Sequence, residues 1–347
     1  MVESSASPTP FEMPPRRAFA QLPTPLQPLE RLSSQLGGPR LWVKRDDLTG
    51  SLLSGNKVRK LEFVLAQALA EGCDTLITCG GLQSNHCRAT ALLGAQLGLK
   101  VHLVLRGLRR SGVVDGNLLL SQLAGAQVHC LAPARYALER DERMAAIARE
   151  TEAKGGKAWV IPTGASDAWG LWGYINASAE LAEDYRAAGF RPDAVICATG
   201  SGGTHAGLTL GHQVYCPDVP VLGMAVCDDR KYFQRRYRED VEAWEARFTP
   251  ATPDGGWRDP EINDAYIGPG YGLAEPEVFD TIALLARTEG LVLDPVYTGK
   301  AFHGLLQELK AGRFGGAEHL VFVHTGGVFG LFPQREQLAD ALGWWRR

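Results

Sequence analysis

No charge of one sign dominates this chain. Its 347 residues carry 36 Lys and Arg against 39 Asp and Glu, a net charge of -3. Without a basic excess, a nucleic-acid or membrane-surface role is excluded. No apolar run approaches the ~18 residues of a membrane helix. Met1-Val2-Glu3-Ser4-Ser5 lacks the charged-then-apolar pattern of a leader, so a cytoplasmic location is expected. The seven cysteines include no Cys-x-x-Cys pair, which argues against a zinc site or a disulfide framework. They read as buried small hydrophobes. His-Glu-x-x-His and Gly-Lys-Ser/Thr are also missing, and the eight histidines show no metal-ligand spacing.

What is present is an alternation. Hydrophobic residues make up 45%, enough for a large core. Residues 1–25 read as a Pro-rich extended arm with a disordered start. After them, strand-like runs at 41–47, 75–80, 100–105, 126–131, 157–162, 194–200, 219–227 and 319–327 are interleaved with helical patterns. The helices are expected at 56–71, 88–98, 115–124, 136–153, 170–188, from 203, at 275–289 and at 299–311, with a less regular stretch at 228–270. This order predicts an α/β protein built on open, mostly parallel twisted sheets.

In such sheets ligands bind beyond the carboxyl ends of the strands. Four turns there are chemically notable. Ser54-Gly55-Asn56-Lys57 delivers a lysine to a helix start, as a surface lysine or as an amine made nucleophilic by desolvation. Gly80-Gly81-Leu82-Gln83-Ser84-Asn85-His86 opens a helix, with plain capping as the simpler reading. Gly200-Ser201-Gly202-Gly203-Thr204-His205 is a phosphate-type turn. It misses the dinucleotide fingerprint at His205, although Asp228 keeps a nicotinamide-dependent dehydrogenase open. Tyr297-Thr298 precedes a helix, and Tyr271 sits in Gly268-Pro269-Gly270-Tyr271-Gly272. A lysine, a phosphate turn and several hydroxyls together suit a cofactor with an aldehyde and a phosphate, pyridoxal 5'-phosphate. A non-catalytic metabolite-binding protein would not need the lysine and both tyrosines.

The segments LWVKRDDLTGSLLSGNKVRKLEF, GGLQSNHCR, IPTGASDAWGLWGY, ATGSGGTHAGL, GPGYG, LDPVYTGKA and HTGG occur in one order. Over about residues 20–335 the chain resembles the 1-aminocyclopropane-1-carboxylate deaminase / D-cysteine desulfhydrase family, fold-type II pyridoxal phosphate enzymes of the tryptophan synthase β-subunit type. Ser84-Asn85-His86 with Thr298 resembles the desulfhydrase branch; the deaminase branch has Gln and Glu in place of His86 and Thr298. The resemblance implies a small domain at 59–167 against a large one made of 1–58 and 168–347, with the cofactor between them, in a homodimer. It implies a Schiff base on Lys57 and a phosphate held by Lys60, Gly200, Ser201, Gly202, Gly203 and Thr204. Asn85 would bond the ring oxygen, and Ser84, Asn85, His86 and Tyr271 would contact a small amino-acid substrate. Tyr271 and Tyr297 would flank the reacting carbons, and Thr298 would meet the pyridine nitrogen. The implied reaction converts D-cysteine and water to pyruvate, hydrogen sulfide and ammonia. Cyclopropane ring opening, L-cysteate desulfonation and racemisation are family alternatives.

Overall fold

The computed structural model describes residues 11–108 and 114–344. In chain order the strands are β1 (Leu26–Pro28), β2 (Arg40–Lys44), β3 (Thr75–Gly81), β4 (Lys100–Arg106), β5 (Gln127–Leu131), β6 (Ala158–Val160), β7 (Ala194–Thr199), β8 (Val221–Ala225), β9 (Glu261–Asn263) and β10 (His319–Val323). The helices are α1 (Glu30–Leu36), α2 (Asn56–Ala70), α3 (Asn85–Gln96), α4 (Gly116–Leu123), α5 (Pro133–Glu152), α6 (Trp172–Ala188), α7 (Gly203–Tyr215), α8 (Arg230–Phe248), α9 (Pro276–Glu289), α10 (Thr298–Lys310) and α11 (Arg335–Ala341).

Two sheets form. One has the order β1-β2-β10-β7-β8-β9 and is parallel except for the edge strand β1; the other, β5-β4-β3-β6, is parallel throughout. The expected α/β architecture is therefore present. Every residue of β7 and β8 is buried, and all of β3 except Gly81. Continuous apolar runs of this kind mark parallel strands covered on both faces.

Helix α2 matters most for the site. Its buried stripe includes Val58, Leu61, Val64, Leu65 and Ala68. On its other side it lies against α6, where a Cβ on Gly173 would come within 2.7 Å of the Lys60 backbone nitrogen. Only glycine permits that approach. The arm is pinned too: the N–H groups of Phe19 and Ala20 donate to Glu62, and Phe11 packs edge-on against Trp172 and Trp244. Residues 1–10, where a disordered start is expected, lie outside the described residues.

The stretch at 228–270 is more regular than expected, because it contains the 19-residue α8. This helix is mostly polar. Its narrow stripe of Phe233, Tyr237, Val241 and Trp244 is nonetheless buried, at helical spacing, and Asp229 caps its start by accepting from Tyr232 N. The last strand ends at Val323, earlier than expected, and α1, β1, β9 and α11 are short elements that the periodicity did not reveal.

Candidate active site

The carboxyl ends of strands from both sheets open on one cavity of about 490 Å³. Of the residues to which the family resemblance gives a role, all but Lys60, Gly203 and Thr298 line it. Lys57 arrives there by close backbone packing. Gly55 has φ 110°, and a Cβ on it would stand 2.5 Å from Thr325 O. Gly326, with φ 80°, would clash equally with Gly55 Cα. This glycine pair sets the start of α2 against the end of β10, and Asn56 N donates to Thr325 O at 3.1 Å.

The Lys57 amine lies deep in the protein and makes no hydrogen bond or ion pair among the described residues. Burial lowers its pKa from 10.5 to about 8, against a small opposing effect of Cys87. Near neutral pH a useful fraction is thus the nucleophilic free amine.

Lys60, one helical turn on, is completely buried. It donates to Gly164 O at 2.7 Å and to Ser166 Oγ at 3.0 Å. Burial, then the charge of Lys57, push its pKa well down. It stands directly behind the phosphate-type turn, since a Cβ on Gly203 would lie 2.6 Å from its Nζ. Ser166 joins the two by accepting from Gly203 N and donating to Ser201 Oγ at 2.9 Å. Among the described residues the backbone N–H groups of Ser201 and Gly202 meet no protein acceptor. Thr204 Oγ1 accepts from Asn56 Nδ2 at 2.8 Å, tying the turn to the lysine loop. A buried ammonium without a carboxylate, beside free N–H groups at the start of α7, is an anion site.

On the opposite wall Ser84 caps α3 by accepting from Cys87 N. Asn85 Oδ1 accepts from Asn117 Nδ2 and Arg88 Nη1, which leaves its NH₂ as the free end. His86 is held by Thr78, whose hydroxyl already donates to Ile161 O. The Thr78 oxygen therefore accepts from His86 Nε2, and the unpartnered Nδ1 is an acceptor in the neutral ring. Burial first, then the charges of Lys57 and Lys60, hold this imidazole neutral by pushing its pKa well down.

Tyr271 and Tyr297 come from separate elements and share a hydroxyl–hydroxyl hydrogen bond of 2.7 Å. Burial raises both pKa values, that of Tyr271 to about 12. Tyr297 occupies the space over Gly200, where a Cβ would come within 2.8 Å of its ring. The Arg106 guanidinium lies 4.8 Å above the Tyr271 ring.

Thr298 is not where the family pattern implies. Its hydroxyl donates to Asp294 Oδ1 at 2.7 Å and accepts from Asp294 N, and it is wholly buried outside the cavity. The cause is local. Asp294 caps α10 by accepting from the N–H groups of Val296, Tyr297 and Thr298, and the threonine hydroxyl completes that cap. Thr325, just past the end of β10, lines the cavity, as Thr298 does not. Thr325, Ser166, Asn56 and Arg106 also line the cavity, although the sequence gives them no site role. Thr325 carried a signal, as the residue after a buried strand in a Thr-Gly-Gly turn. Ser166 carried none beyond its small-residue neighbourhood. His205, at the odd position of the turn, is buried with its ring against Val221 O and takes no part in the cavity's polar network.

An amine with no partner, a second buried ammonium and an N–H-lined turn fit one ligand that offers an aldehyde and a phosphate, pyridoxal phosphate. The comparisons with known proteins agree. The family model described as pyridoxal-phosphate dependent enzyme matches residues 18–326. A mitochondrial bifunctional D-cysteine desulfhydrase/1-aminocyclopropane-1-carboxylate deaminase of Arabidopsis thaliana is 39% identical, covering 95% of this chain and 82% of its own. A D-cysteine desulfhydrase of Salmonella typhimurium is also 39% identical, covering 92% and 95%. The crystal structure of an ACC deaminase homologue superposes with a TM-score of 0.86 at 35% identity, covering 94% and 96%. The chain belongs to the pyridoxal-phosphate dependent enzymes, in the D-cysteine desulfhydrase / 1-aminocyclopropane-1-carboxylate deaminase family.

Proposed function

We propose that the enzyme eliminates hydrosulfide from D-cysteine and, with water, yields pyruvate, hydrogen sulfide and ammonia. The observation that carries this reading is a partnerless Lys57 amine in the same cavity as a hydrogen-bonded pair of protonated tyrosines. One group takes a proton from carbon and the other gives a proton to sulfur.

Bound pyridoxal phosphate supplies a conjugated electron sink for charge at the substrate Cα. The chain supplies the rest. Lys57 would hold the cofactor aldehyde, and its free amine would take the proton from the substrate Cα. Lys60 and the turn from Gly200 to Thr204 hold the phosphate, with Ser166 setting the turn. Ser84 and the first N–H groups of α3 bind the substrate carboxylate, favoured by the helix dipole. The Asn85 NH₂ bonds the ring oxygen, and His86 Nδ1 accepts from a substrate donor. Tyr271, backed by Tyr297, protonates the departing sulfur. Thr325 would offer the ligand a neutral hydroxyl.

Opening of 1-aminocyclopropane-1-carboxylate is the second reading, because the Arabidopsis relative's name joins both activities. We take 59–167 as the smaller domain and 1–58 with 168–347 as the larger, in a cytoplasmic homodimer. The test is a set of parallel assays with D-cysteine, L-cysteine and 1-aminocyclopropane-1-carboxylate. Pyruvate with equimolar sulfide from D-cysteine is expected. Ring opening faster than desulfhydration would favour the second reading.

A further inference from the structure

The segment that carries Tyr271 has little structure of its own. Gly268, Gly270 and Gly272 have φ values of 65°, 124° and 81°. From Gly268 to Leu273, the one backbone–backbone hydrogen bond among the described residues is a turn from Leu273 N to Gly270 O. Side chains from other elements do the holding, Gln334 by one bond to Gly272 O at 3.2 Å and Lys300 by the rest. Lys300, on α10 and 2% exposed, donates to Ile267 O at 2.7 Å, Gly270 O at 2.8 Å and Val226 O at 3.2 Å. All three ammonium protons are used, each on a backbone carbonyl. No carboxylate pairs with it among the described residues. A cation balanced by carbonyl dipoles alone has the surroundings of a bound monovalent ion, here tethered by its own stem.

Its place in the chain gives this cage a consequence. Lys300 is on the first turn of α10, three residues beyond Tyr297 at its cap, and Gly270 is the neighbour of Tyr271. One ammonium therefore fixes the spacing of two phenols whose hydroxyls are 2.7 Å apart.

We propose that Lys300 is a positioning residue, an internal monovalent cation that locks the Tyr271 segment to the helix of Tyr297, and that free ammonium or potassium replaces it when the side chain is removed. Its effect on turnover rests on the reading of the tyrosine pair as proton donor; its effect on the segment does not.

The test uses the holoenzyme and two substitutions. Lys300→Met keeps the stem volume and removes the charge. It should retain cofactor absorbance, lose turnover by about 10²-fold as expected for a displaced catalytic group, and exchange the amide hydrogen of Leu273, the hydrogen-bonded one of this segment, faster. Lys300→Ala should show the same defects. Ammonium or potassium chloride should reverse both of them saturably, while lithium chloride at equal ionic strength should not. Native turnover and native exchange in Lys300→Met would overturn the proposal. So would Lys300→Ala defects that ignore ammonium and potassium or respond equally to lithium. Faster exchange with native turnover would keep the lock and remove the tyrosine pair from the reaction. If the native enzyme leaves D-cysteine untouched, the proposed function fails, and the exchange measurements still decide the lock.

Discussion

Helix α2 carries three cations lodged in protein within four residues, and their surroundings are opposite. The Arg59 guanidinium takes Asp46 through Nε and Nη2 and Glu180 through Nη1 and Nη2, at 2.8 to 2.9 Å, with Thr24 Oγ1 as a further neighbour. Burial opposes its charge, yet Asp46 and Glu180 raise its pKa well above the usual value. Burial likewise works against ionised Glu180, and Arg59 overrides it, holding that carboxyl at about 2. Lys57 and Lys60 pair with no carboxylate among the described residues, and burial lowers both. The contrast separates two uses of a buried charge. A saturated cation fastens α2 to α6 and to the strand-end Asp46. An unsaturated one is incomplete until a ligand arrives, which is why the same helix both anchors the site and exposes its need for an aldehyde and a phosphate.

Substitutions that treat the three cations alike should therefore give different results. Lys57→Ala should lower turnover by at least ~10³, since it removes the cofactor's covalent anchor and the carbon base together. Its melting temperature should hold, because no partner is orphaned. Near-native turnover would dissolve the distinction at once. Arg59→Met should do the reverse. Breaking this buried network should cost about 3–5 kcal/mol of stability, read by chemical denaturation, with Asp46 left without its cation and Glu180 with Lys44 alone. The linked acid response has a definite sign. Glu180 has a folded pKa near 2 against 4.5 unfolded, so its contribution is full above pH 4.5 and is lost as pH falls toward 2. In Arg59→Met that acid-sensitive component should shrink and not vanish, because Lys44 at 2.6 Å still holds Glu180.

Lys60→Met sharpens the comparison further. It should weaken cofactor affinity about 10- to 100-fold, the worth of one hydrogen bond to a charged group. The melting temperature of the cofactor-free protein should stay or rise. A fall as large as that of Arg59→Met would mean that Lys60 is a structural cation after all. The smallest effect is kinetic. Covalent loading of the cofactor-free protein should quicken as pH rises through about 8 and then level, because the neutral amine reacts. A rate still climbing toward pH 10.5 would mean that Lys57 is not desolvated.

These differences also mark what the sequence discloses. The strand and helix alternation is legible because buried parallel strands such as β3 and β7 are continuous apolar runs and α2 keeps spacings of three and four. The α8 helix is hidden because its apolar stripe is narrow and charged residues surround it. Lys57, Ser84, Asn85, His86, the turn from Gly200 to Thr204 and both tyrosines are legible as small-residue turns after strands, and the structure gathers them at one cavity, with Gly203 just behind its wall. Partnership is not legible. Nothing in Asn56-Lys57-Val58-Arg59-Lys60 says which cation meets Asp46 and Glu180, because Glu180 lies 121 residues away on α6. The burial of Thr298 outside the cavity has the same origin. Asp294 recruits the Thr298 hydroxyl into a helix cap, a contact that family pattern alone does not reveal.

The central claim is that Lys57, of all the lysines near the cavity, carries the cofactor. Borohydride reduction of the holoenzyme fixes the lysine-bound cofactor permanently, and peptide mass analysis then locates it. The account predicts a bleached yellow band and a single pyridoxyl adduct on Lys57. An adduct on Lys44, Lys60 or Lys300 would contradict it.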